Sequence, residues 1–298
     1  MNRLMVCLII LAFVAACGSS EPETPESREI TDQLSGDADL GAIVQHLMTA
    51  EQEKRITRAL SIHFPDMERT TAYAIQSAIL KMKERSDRRI GWKIGYSRVT
   101  NDTIPSDPVF GHIMASGLDE SGVTVSADTY ARGAPYIEAE IAFRIGKDLA
   151  GPTLKREDVV DAIREVAPAI ELVSGWVHAA DGKVHTRNHD IVGNVTHVGV
   201  VPSAEWHQLD EVDFSKVAVR VEIDGITQAE GHANLIMNKD PVEGLVWLAN
   251  ELRKYGHYLK SGDLVITGTV LDPPRLEPGS TARAVFETLG SVEVSVGH

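Results

Sequence analysis

The chain has 298 residues and a formal net charge of −14, from 43 acidic and 29 basic side chains. An acidic surface repels phosphate backbones, so we expect no nucleic acid among its partners. Both cysteines, Cys7 and Cys17, lie near the N-terminus. The remainder of the chain therefore has no disulfide, no thiolate nucleophile and no cysteine-ligated metal.

The N-terminus has the pattern of an export signal. Arg3 precedes an unbroken apolar run from Leu4 to Ala16, which is too short to span a bilayer. The run ends in Val14-Ala15-Ala16-Cys17, which resembles the bacterial lipobox, a motif whose cysteine is lipidated before cleavage. We therefore predict a lipoprotein signal peptide over 1–16, with Cys17 as the lipid-bearing first residue of the mature protein. The alternatives are a signal peptide cut elsewhere and a short buried helix.

The next segment, residues 17–35, is predicted to be a disordered tether. Its first part, 18–29, consists almost entirely of Ser, Pro, Glu and Gly and has no aliphatic or aromatic residue, so it cannot bury enough surface to offset chain entropy. Gly18, rather than Asp, after the lipobox cysteine resembles the outer-membrane sorting pattern of enterobacteria. We predict a periplasm-facing lipoprotein on the outer membrane of a Gram-negative bacterium, attached to the membrane by its lipid alone.

Residues 36–88 are predicted to form a helical N-terminal portion, because apolar side chains recur at spacings of three to four, with Pro65 between two helices. Further amphipathic helices are expected at Arg156–Val166 and Pro241–Tyr255, and Asp224-Gly225 indicates a hairpin turn. Short apolar runs predict strands. These are Ile90–Tyr96, Val123–Ser126, Pro135–Ile145, Pro168–Val173, Val195–Val201, Val217–Asp224 and Leu264–Thr267. We predict an α+β fold, with 36–298 as one catalytic domain and 89–298 as its strand-rich body.

Carboxylates interrupt two of these apolar runs. Glu138 and Glu140 alternate with apolar residues on a predicted strand, so both point to one face. Glu171 is a lone carboxylate in the run 167–173, where an unpaired charge would cost several kcal/mol. Three glutamates on two strands can form an oxygen-only site for Mg²⁺ or Mn²⁺. A wet polar strand face, with a simple salt bridge at Glu171, is the alternative.

Lys93 is likewise a single charge in an apolar setting, flanked by Gly91 and Gly95. It could place an ammonium or amine beside an anionic, metal-bound substrate. Alternatively, its stem packs in the protein while its head reaches solvent.

Seven segments, in order between about residue 70 and residue 290, carry a resemblance to a known family. They are Tyr73-Ala74-Ile75-Gln76, Gly91-Trp92-Lys93-Ile94-Gly95, Phe110-Gly111, Ile137-Glu138-Ala139-Glu140-Ile141-Ala142, Ala167-Pro168-Ala169-Ile170-Glu171, Val246-Trp247-Leu248-Ala249-Asn250 and Leu259-Lys260-Ser261-Gly262-Asp263-Leu264-Val265-Ile266-Thr267-Gly268. This pattern resembles the 2-keto-4-pentenoate hydratase group of the fumarylacetoacetate hydrolase superfamily, which also includes 4-oxalocrotonate decarboxylase. The implied fold is a mixed β-sheet roll with flanking helices, usually in a homo-oligomer.

The resemblance also implies roles for individual residues. Metal ligands fall on Glu138, Glu140 and Glu171, catalytic roles on Lys93 and Thr196, and substrate contacts on Lys93, Asn194 and Thr267. The implied substrate is a small 2-oxo or 2-enol carboxylic acid that chelates Mg²⁺ (or Mn²⁺), as in the catabolism of aromatic compounds. In the hydratases a 2-hydroxy-2,4-dienoate is ketonised, and water then adds to the conjugated double bond.

The sequence departs from that family pattern at several positions. Val109 stands where many hydratases have an Asp, and Gly193 replaces another Asp. The segment between Glu171 and Asn194 carries His178, His185 and His189, which could form a substrate-gating loop, a second metal site or an ordinary polar surface loop.

We therefore expect a divalent-metal-dependent lyase, with hydratase as the leading activity. The alternatives are a 2-oxo acid decarboxylase, an acylpyruvate hydrolase, and a lipoprotein that binds oxo acids without catalysis.

Overall fold

The structure is a computed structural model that describes residues 34, 36, 38–100, 103–105 and 107–297. The predicted signal peptide, Cys17 and nearly all of the predicted tether lie outside the described residues. Leu34, at the end of the predicted tether, is described and packs into the hydrophobic core.

Three helices form the N-terminal portion: α1 (Leu40–Gln52), α2 (Ala59–His63) and α3 (Arg69–Lys83). The Asp39 side chain accepts a hydrogen bond from the Ala42 amide and so caps α1. Pro65 lies between α2 and α3, as the sequence predicts. Further along the chain are α4 (Arg156–Val160), α5 (Arg187–Val192) and α6 (Pro241–Lys254), the last with Asp240 as its N-cap. Among the described residues, no helix combines the length and apolar character needed to cross a bilayer.

The strands form two mixed sheets. They are β1 (Arg89–Gly95), β2 (Val109–Met114), β3 (Val123–Val125), β4 (Tyr136–Ile145), β5 (Ile163–Val173), β6 (His197–Pro202), β7 (Ala218–Ile223), β8 (Ile226–His232), β9 (Leu264–Ile266), β10 (Thr281–Phe286) and β11 (Gly290–Val296). The six-stranded sheet has the order β2-β1-β9-β4-β5-β6, and the five-stranded sheet has the order β3-β11-β10-β7-β8. The predicted α+β class and sheet roll are confirmed.

Two predicted elements need correction. The helix predicted over Arg156–Val166 ends at Val160, and Ile163 already begins β5. Residues 163–166 pair with the far end of β4, and this sheet pairing outweighs their helical periodicity. Val195 was predicted to begin a strand, but it lies in a tight turn with a φ of 53°, and β6 begins at His197.

The long antiparallel pair β4–β5 divides two environments. Ile137, Ala139, Ile141 and Phe143 point into the main hydrophobic core, because alternate residues of a strand face opposite sides. The opposite face carries the predicted glutamates and then a second, small apolar cluster. That cluster consists of Ile90, Ile113, Ala142, Ala169, Val200, Leu264 and Ile266. The candidate site therefore sits on a rigid, fully paired part of the six-stranded sheet.

Candidate metal centre

Strand register brings the three predicted glutamates together. Glu138 lies directly opposite Glu171 in the β4–β5 ladder, and Glu140 follows on the same face of β4. One carboxylate oxygen from each lies within 4.8 Å of the others. Within the described residues, no other set of His, Cys, Asp and Glu side chains meets this criterion for a metal site.

The three carboxylates differ in their electrostatics. Burial, together with the neighbouring Glu171 charge, raises the pKa of Glu138 to about 7. Burial and both neighbouring carboxylates raise the pKa of Glu140 well above its ordinary value. Burial would raise the pKa of Glu171 too, but the Lys93 ammonium and a hydrogen bond from His197 outweigh it and bring the pKa to about 2. Glu171 is therefore the most readily ionised of the three carboxylates, and Glu138 and Glu140 take up protons more readily.

Lys93 lies beside this cluster, with only 2% of its surface exposed. Its Nζ is 3.0 Å from Glu171 Oε1 and donates to the Val195 carbonyl oxygen at 3.1 Å. Burial lowers the pKa of Lys93, but the three carboxylates outweigh that effect and raise the pKa above its ordinary value. Because its Nζ is buried against Glu171 and the Val195 carbonyl, the alternative in which the lysine head reaches solvent is wrong.

His197 is a member of the cluster that the sequence analysis did not identify. Its Nδ1 lies 2.7 Å from Glu171 Oε1, the same oxygen that Lys93 contacts. The pairing of β5 with β6 creates this contact, and the only sequence signal was a histidine next to Thr196. With His197 and Lys93 both on one oxygen, Glu171 is held in a single orientation.

The donor set fits a hard divalent cation. Glu140 Oε1 and Glu171 Oε2 are buried and have no hydrogen-bond partner in the described part of the chain, although a buried carboxylate oxygen is normally satisfied. The other Glu140 oxygen accepts a 2.7 Å hydrogen bond from the Gly268 amide, which fixes that carboxylate. Oxygen-only ligation of this kind suits Mg²⁺, Mn²⁺ or Ca²⁺.

A cavity of about 330 Å³ opens onto the cluster. Lys93 and Glu138 line its floor, and Tyr96, Asp190 and Thr196 line its walls. One wall is an unusual turn in which Asn194, Val195 and Thr196 all have φ values between 53° and 60°. Consecutive left-handed residues without glycine are strained, and such strain is concentrated at functional sites.

Two residues that were expected to contact substrate, Asn194 and Thr267, do not line this cavity with their side chains. The Asn194 amide accepts from the His112 amide at 2.8 Å and donates to the His112 carbonyl at 2.9 Å, so it ties the turn to β2. Thr267 is fully buried, and its hydroxyl donates to the Ile141 carbonyl. The cavity is instead lined by the next two residues, Gly268 and Thr269. The side chains of Asn194 and Thr267 thus support the site from behind rather than facing the cavity.

The departures from the family pattern also have clear positions. Val109 is fully buried in β2, opposite Gly95. Asp107, the carboxylate two residues before it in the chain, forms ion pairs with Arg69 and Arg187. Gly193 ends α5 and packs near Val177. Neither Val109 nor Asp107 lines the cavity, so neither places a proton-transfer group there.

The three histidines of segment 174–193 serve different purposes. His178 and His189 bind backbone carbonyls, those of Gly175 and Phe64. His185 instead lies against Asp190. Within the described residues they form no second metal cluster.

Comparison with known proteins agrees with this architecture. Residues 85–297 match the fumarylacetoacetate (FAA) hydrolase C-terminal family model. The chain belongs to this family. Its FAA hydrolase relatives include a 2-hydroxyhexa-2,4-dienoate hydratase of Comamonas testosteroni, 30% identical over 84% of this chain and 94% of the relative. A 2-oxo-hept-4-ene-1,7-dioate hydratase of Escherichia coli is 28% identical over 84% of this chain and 95% of the relative.

A solved FAA hydrolase-type structure shares the same fold. The 4-oxalocrotonate decarboxylase from Pseudomonas putida G7, complexed with magnesium and adipate, superimposes with a TM-score of 0.78 at 23% identity. The match covers 86% of this chain and 97% of the decarboxylase. The fold therefore extends over nearly the whole described body, including the helical N-terminal portion.

Proposed function

We propose that this protein is a divalent-metal-dependent lyase acting on a small 2-oxo acid, with hydration of a 2-hydroxydienoate as its leading activity. The observation that carries the proposal is the cluster of half-buried Glu138 with the buried side chains of Glu140, Glu171 and Lys93, open to a cavity of about 330 Å³. Hydratases and a decarboxylase among the relatives support an enzyme of this class.

The three glutamates would hold the cation, which we propose to be Mg²⁺ or Mn²⁺. The related decarboxylase was solved with magnesium in one structure and with calcium in another, which supports a divalent metal. When bound, the metal supplies Lewis-acid stabilisation of an enolate oxygen. We expect binding of the metal to displace protons from Glu138 and Glu140.

The chain's own groups orient the substrate around that centre. Lys93 directs a fixed ammonium to the cavity floor, where it stabilises a carboxylate or developing oxyanion. Thr196 lines the same cavity, although its hydroxyl donates to the Val195 carbonyl at 2.7 Å. We propose that this threonine contacts substrate through its hydroxyl oxygen, which can still accept hydrogen bonds.

The second candidate is an oxo-acid-binding protein without lyase activity. Buried, apolar Val109 supports it, because this side chain can neither transfer a proton nor position water. Decarboxylation or acylpyruvate hydrolysis on the same metal site are further enzymatic candidates.

The deciding experiment follows freshly generated 2-hydroxypenta-2,4-dienoate by ultraviolet absorbance, using the detergent-solubilised full chain with Mg²⁺. We expect metal-dependent loss of the dienol and formation of 4-hydroxy-2-oxopentanoate. No turnover, together with Mg²⁺-dependent calorimetric binding of oxalate, would favour the binding protein. Pyruvate-releasing turnover of an acylpyruvate alone would favour the hydrolase.

Glu138→Gln tests the proposed metal ligands in the same assay. The substitution keeps the shape of the side chain but removes a charge that the cation requires, so both oxalate binding and turnover should be lost. Glu165→Gln is the matched control, since that glutamate lies on the neighbouring strand β5 and pairs with Arg144 away from the cavity. Full metal-dependent activity in Glu138→Gln would show that the proposed ligand set is wrong.

A further inference from the structure

The cavity wall contains a hydrogen-bonded trio that the proposed metal chemistry does not use. Asp190 is at its centre and is largely buried, at 8% exposure. The Tyr96 hydroxyl donates to Asp190 Oδ2, and His185 Nε2 lies 2.6 Å from Asp190 Oδ1. Each carboxylate oxygen thus has one fixed partner and keeps a lone pair for another.

Two members of this trio, Tyr96 and Asp190, face the same space as the carboxylate cluster. Asp190 and Tyr96 line the cavity together with Lys93 and Glu138. The backbone at Tyr96 has a φ of 58°, an uncommon conformation for a bulky residue, and it turns this side chain toward α5. The tyrosine is therefore held in place at a conformational cost.

Few cavity groups can exchange a proton. Lys93 is locked to Glu171, and Arg187, whose guanidinium stacks over the Tyr96 ring at 4.6 Å, has no atom that can accept a proton. Burial, followed by the Asp190 charge, raises the pKa of Tyr96 well above its ordinary value, so its hydroxyl serves as a donor. Among the described residues that line the cavity, Asp190 is the carboxylate left outside the metal cluster.

His185, the third member of the trio, lines an adjoining cavity. Its Nδ1 is buried and has no hydrogen-bond partner among the described residues, and its ring lines an adjoining cavity of about 480 Å³. Asp190 and Thr196 line both cavities, so they form the wall between them. A carboxylate with an imidazole behind it is an arrangement that can accept a proton and hold it.

We infer that Asp190 is the general base that activates the water added to the substrate, and that His185 is its positioning residue. The inference rests on the proposed lyase function and adds a residue to it. The water oxygen bonds to C4 of the 2-oxo-3-enoate while one of its O–H bonds breaks and that proton passes to Asp190. The C3–C4 π electrons move into the enolate, and return of the proton to C3 completes the addition with no net change in protons.

Asp190→Asn tests the base in the detergent-solubilised full chain, because it keeps the size and one oxygen of the side chain. We expect kcat for dienoate hydration to fall by a factor of about 100 or more, the usual range for loss of general base catalysis. Mg²⁺-dependent oxalate binding should stay within about twofold, since this property does not need a base. Asp272→Asn, at an exposed carboxylate that pairs with Arg98, is the matched control and should keep wild-type kcat.

His185→Phe separates positioning from packing. Phenylalanine keeps an aromatic ring but cannot donate to Asp190, so kcat should fall by about tenfold while KM stays unchanged, and His185→Gln, whose amide can still donate to Asp190, should restore most of the kcat. If His185 only fills space, the phenylalanine variant keeps its kcat.

The experimental outcomes distinguish the general-base role of Asp190 from the proposed lyase function. An active wild type with an equally active Asp190→Asn variant overturns the inference and leaves the lyase proposal standing. A wild type that binds oxalate with Mg²⁺ but turns over no 2-oxo acid overturns both. An unchanged melting temperature and oxalate affinity show that a slow variant is folded.

Discussion

The pKa values of the three carboxylates in the site differ because their side chains have different partners. Glu171 Oε1 contacts both Lys93 and His197, whereas Glu138 and Glu140 lie beside other carboxylates, and Glu140 has the Gly268 amide as its hydrogen-bond partner. A buried ion pair is costly to break from one side, by several kcal/mol. Glu171 and Lys93 therefore form a permanent pair, and the other two carboxylates are the variable part of the cluster.

A second buried histidine has no such partner. His112, on β2, is fully buried, and neither ring nitrogen has a hydrogen-bond partner among the described residues. It lines a cavity of about 370 Å³ that also reaches His197. Burial, followed by the positive charge of Lys83, lowers the pKa of His112 well below its ordinary value of about 6.5.

We predict that His112 makes the protein less stable in mild acid. Below about pH 6.5 the unfolded chain protonates this histidine while the folded chain does not, so the free energy of unfolding falls as the pH falls. The contribution is up to about 1.4 kcal/mol per pH unit. It is absent above about pH 6.5, where the histidine is neutral in both states. We therefore expect the free energy of unfolding, measured with urea, to fall less on acidification in His112→Gln than in the wild type.

All other histidines are common to the wild type and the variant, so any contribution from them cancels in that difference. A wild-type-minus-variant difference that stays constant from about pH 7.5 to about pH 4.5 would contradict the prediction.

At the residue scale, sequence reasoning succeeded where a charge interrupts an apolar run. Glu171 and Lys93 could be singled out because neither can be buried alone, and the structure places them 3.0 Å apart. His197 and Asp190 could not, because their partners come from segments distant in the chain. The amide of Asn194 could equally face a substrate or the backbone, and only the strand positions decide that it binds His112.

At the scale of elements, the register of β4 and β5 determines the site. Glu138 and Glu171 are directly opposite in a ladder that runs through Pro168 and on to Ile163. A slip of one residue in either strand would turn its glutamates into the hydrophobic core, because side chains alternate with a period of two. The apolar face therefore fixes the register that the acidic face needs.

The neighbouring pair β1–β9 depends on a glycine. Gly91 pairs with Leu264 in a parallel ladder, and a Cβ placed on Gly91 would lie 1.9 Å from the Leu264 carbonyl oxygen. We predict that Gly91→Ala separates these strands and lowers the free energy of unfolding by at least about 2 kcal/mol, because backbone rather than a mobile side chain must move. Urea denaturation measures the loss.

Gly297→Ala is the matched control, since a Cβ there meets its nearest atoms at an ordinary 3.6 Å. If both variants unfold at the same urea concentration, the close approach of β1 and β9 is not needed for stability.

Strand prediction failed where the sequence pattern was mixed. β2 contains Gly111 and His112 among apolar residues, and β10 and β11 alternate short polar and apolar side chains near the C-terminus. Such segments become strands because neighbouring strands supply their hydrogen bonds, a tertiary effect that local periodicity does not reveal. The helix α6 and the hairpin at Asp224-Gly225 were predictable because an N-cap with proline and a turn dipeptide act locally.

At the scale of the whole molecule, we propose that the folded body is held at a membrane by lipid on Cys17. This proposal rests on the apolar run ending in Val14-Ala15-Ala16-Cys17 and on the polar composition of 18–29. Homo-oligomer formation and the periplasm-facing position on the outer membrane also stay predictions.

Lipid labelling in a Gram-negative host tests the anchor. The wild-type chain should incorporate a fatty-acid analogue and sediment with membranes, and Cys17→Ser should lose the label. Cys7→Ser is the matched control, because this cysteine lies within the predicted signal peptide and should not affect labelling. Lipid label on Cys17→Ser would show that the predicted attachment site is wrong.

The glutamates of the site lie on strands, whereas part of the cavity wall lies in a separate segment, and this separation affects how such a protein could diversify. All three glutamates that we propose as metal ligands come from the directly paired strands β4 and β5, whereas Asp190 and His185 belong to the separate segment 174–193. Insertions or substitutions in that segment can therefore reshape one cavity wall without moving any of the three glutamates. A lineage could change which molecules fit the cavity by altering this segment while it keeps the carboxylate cluster unchanged.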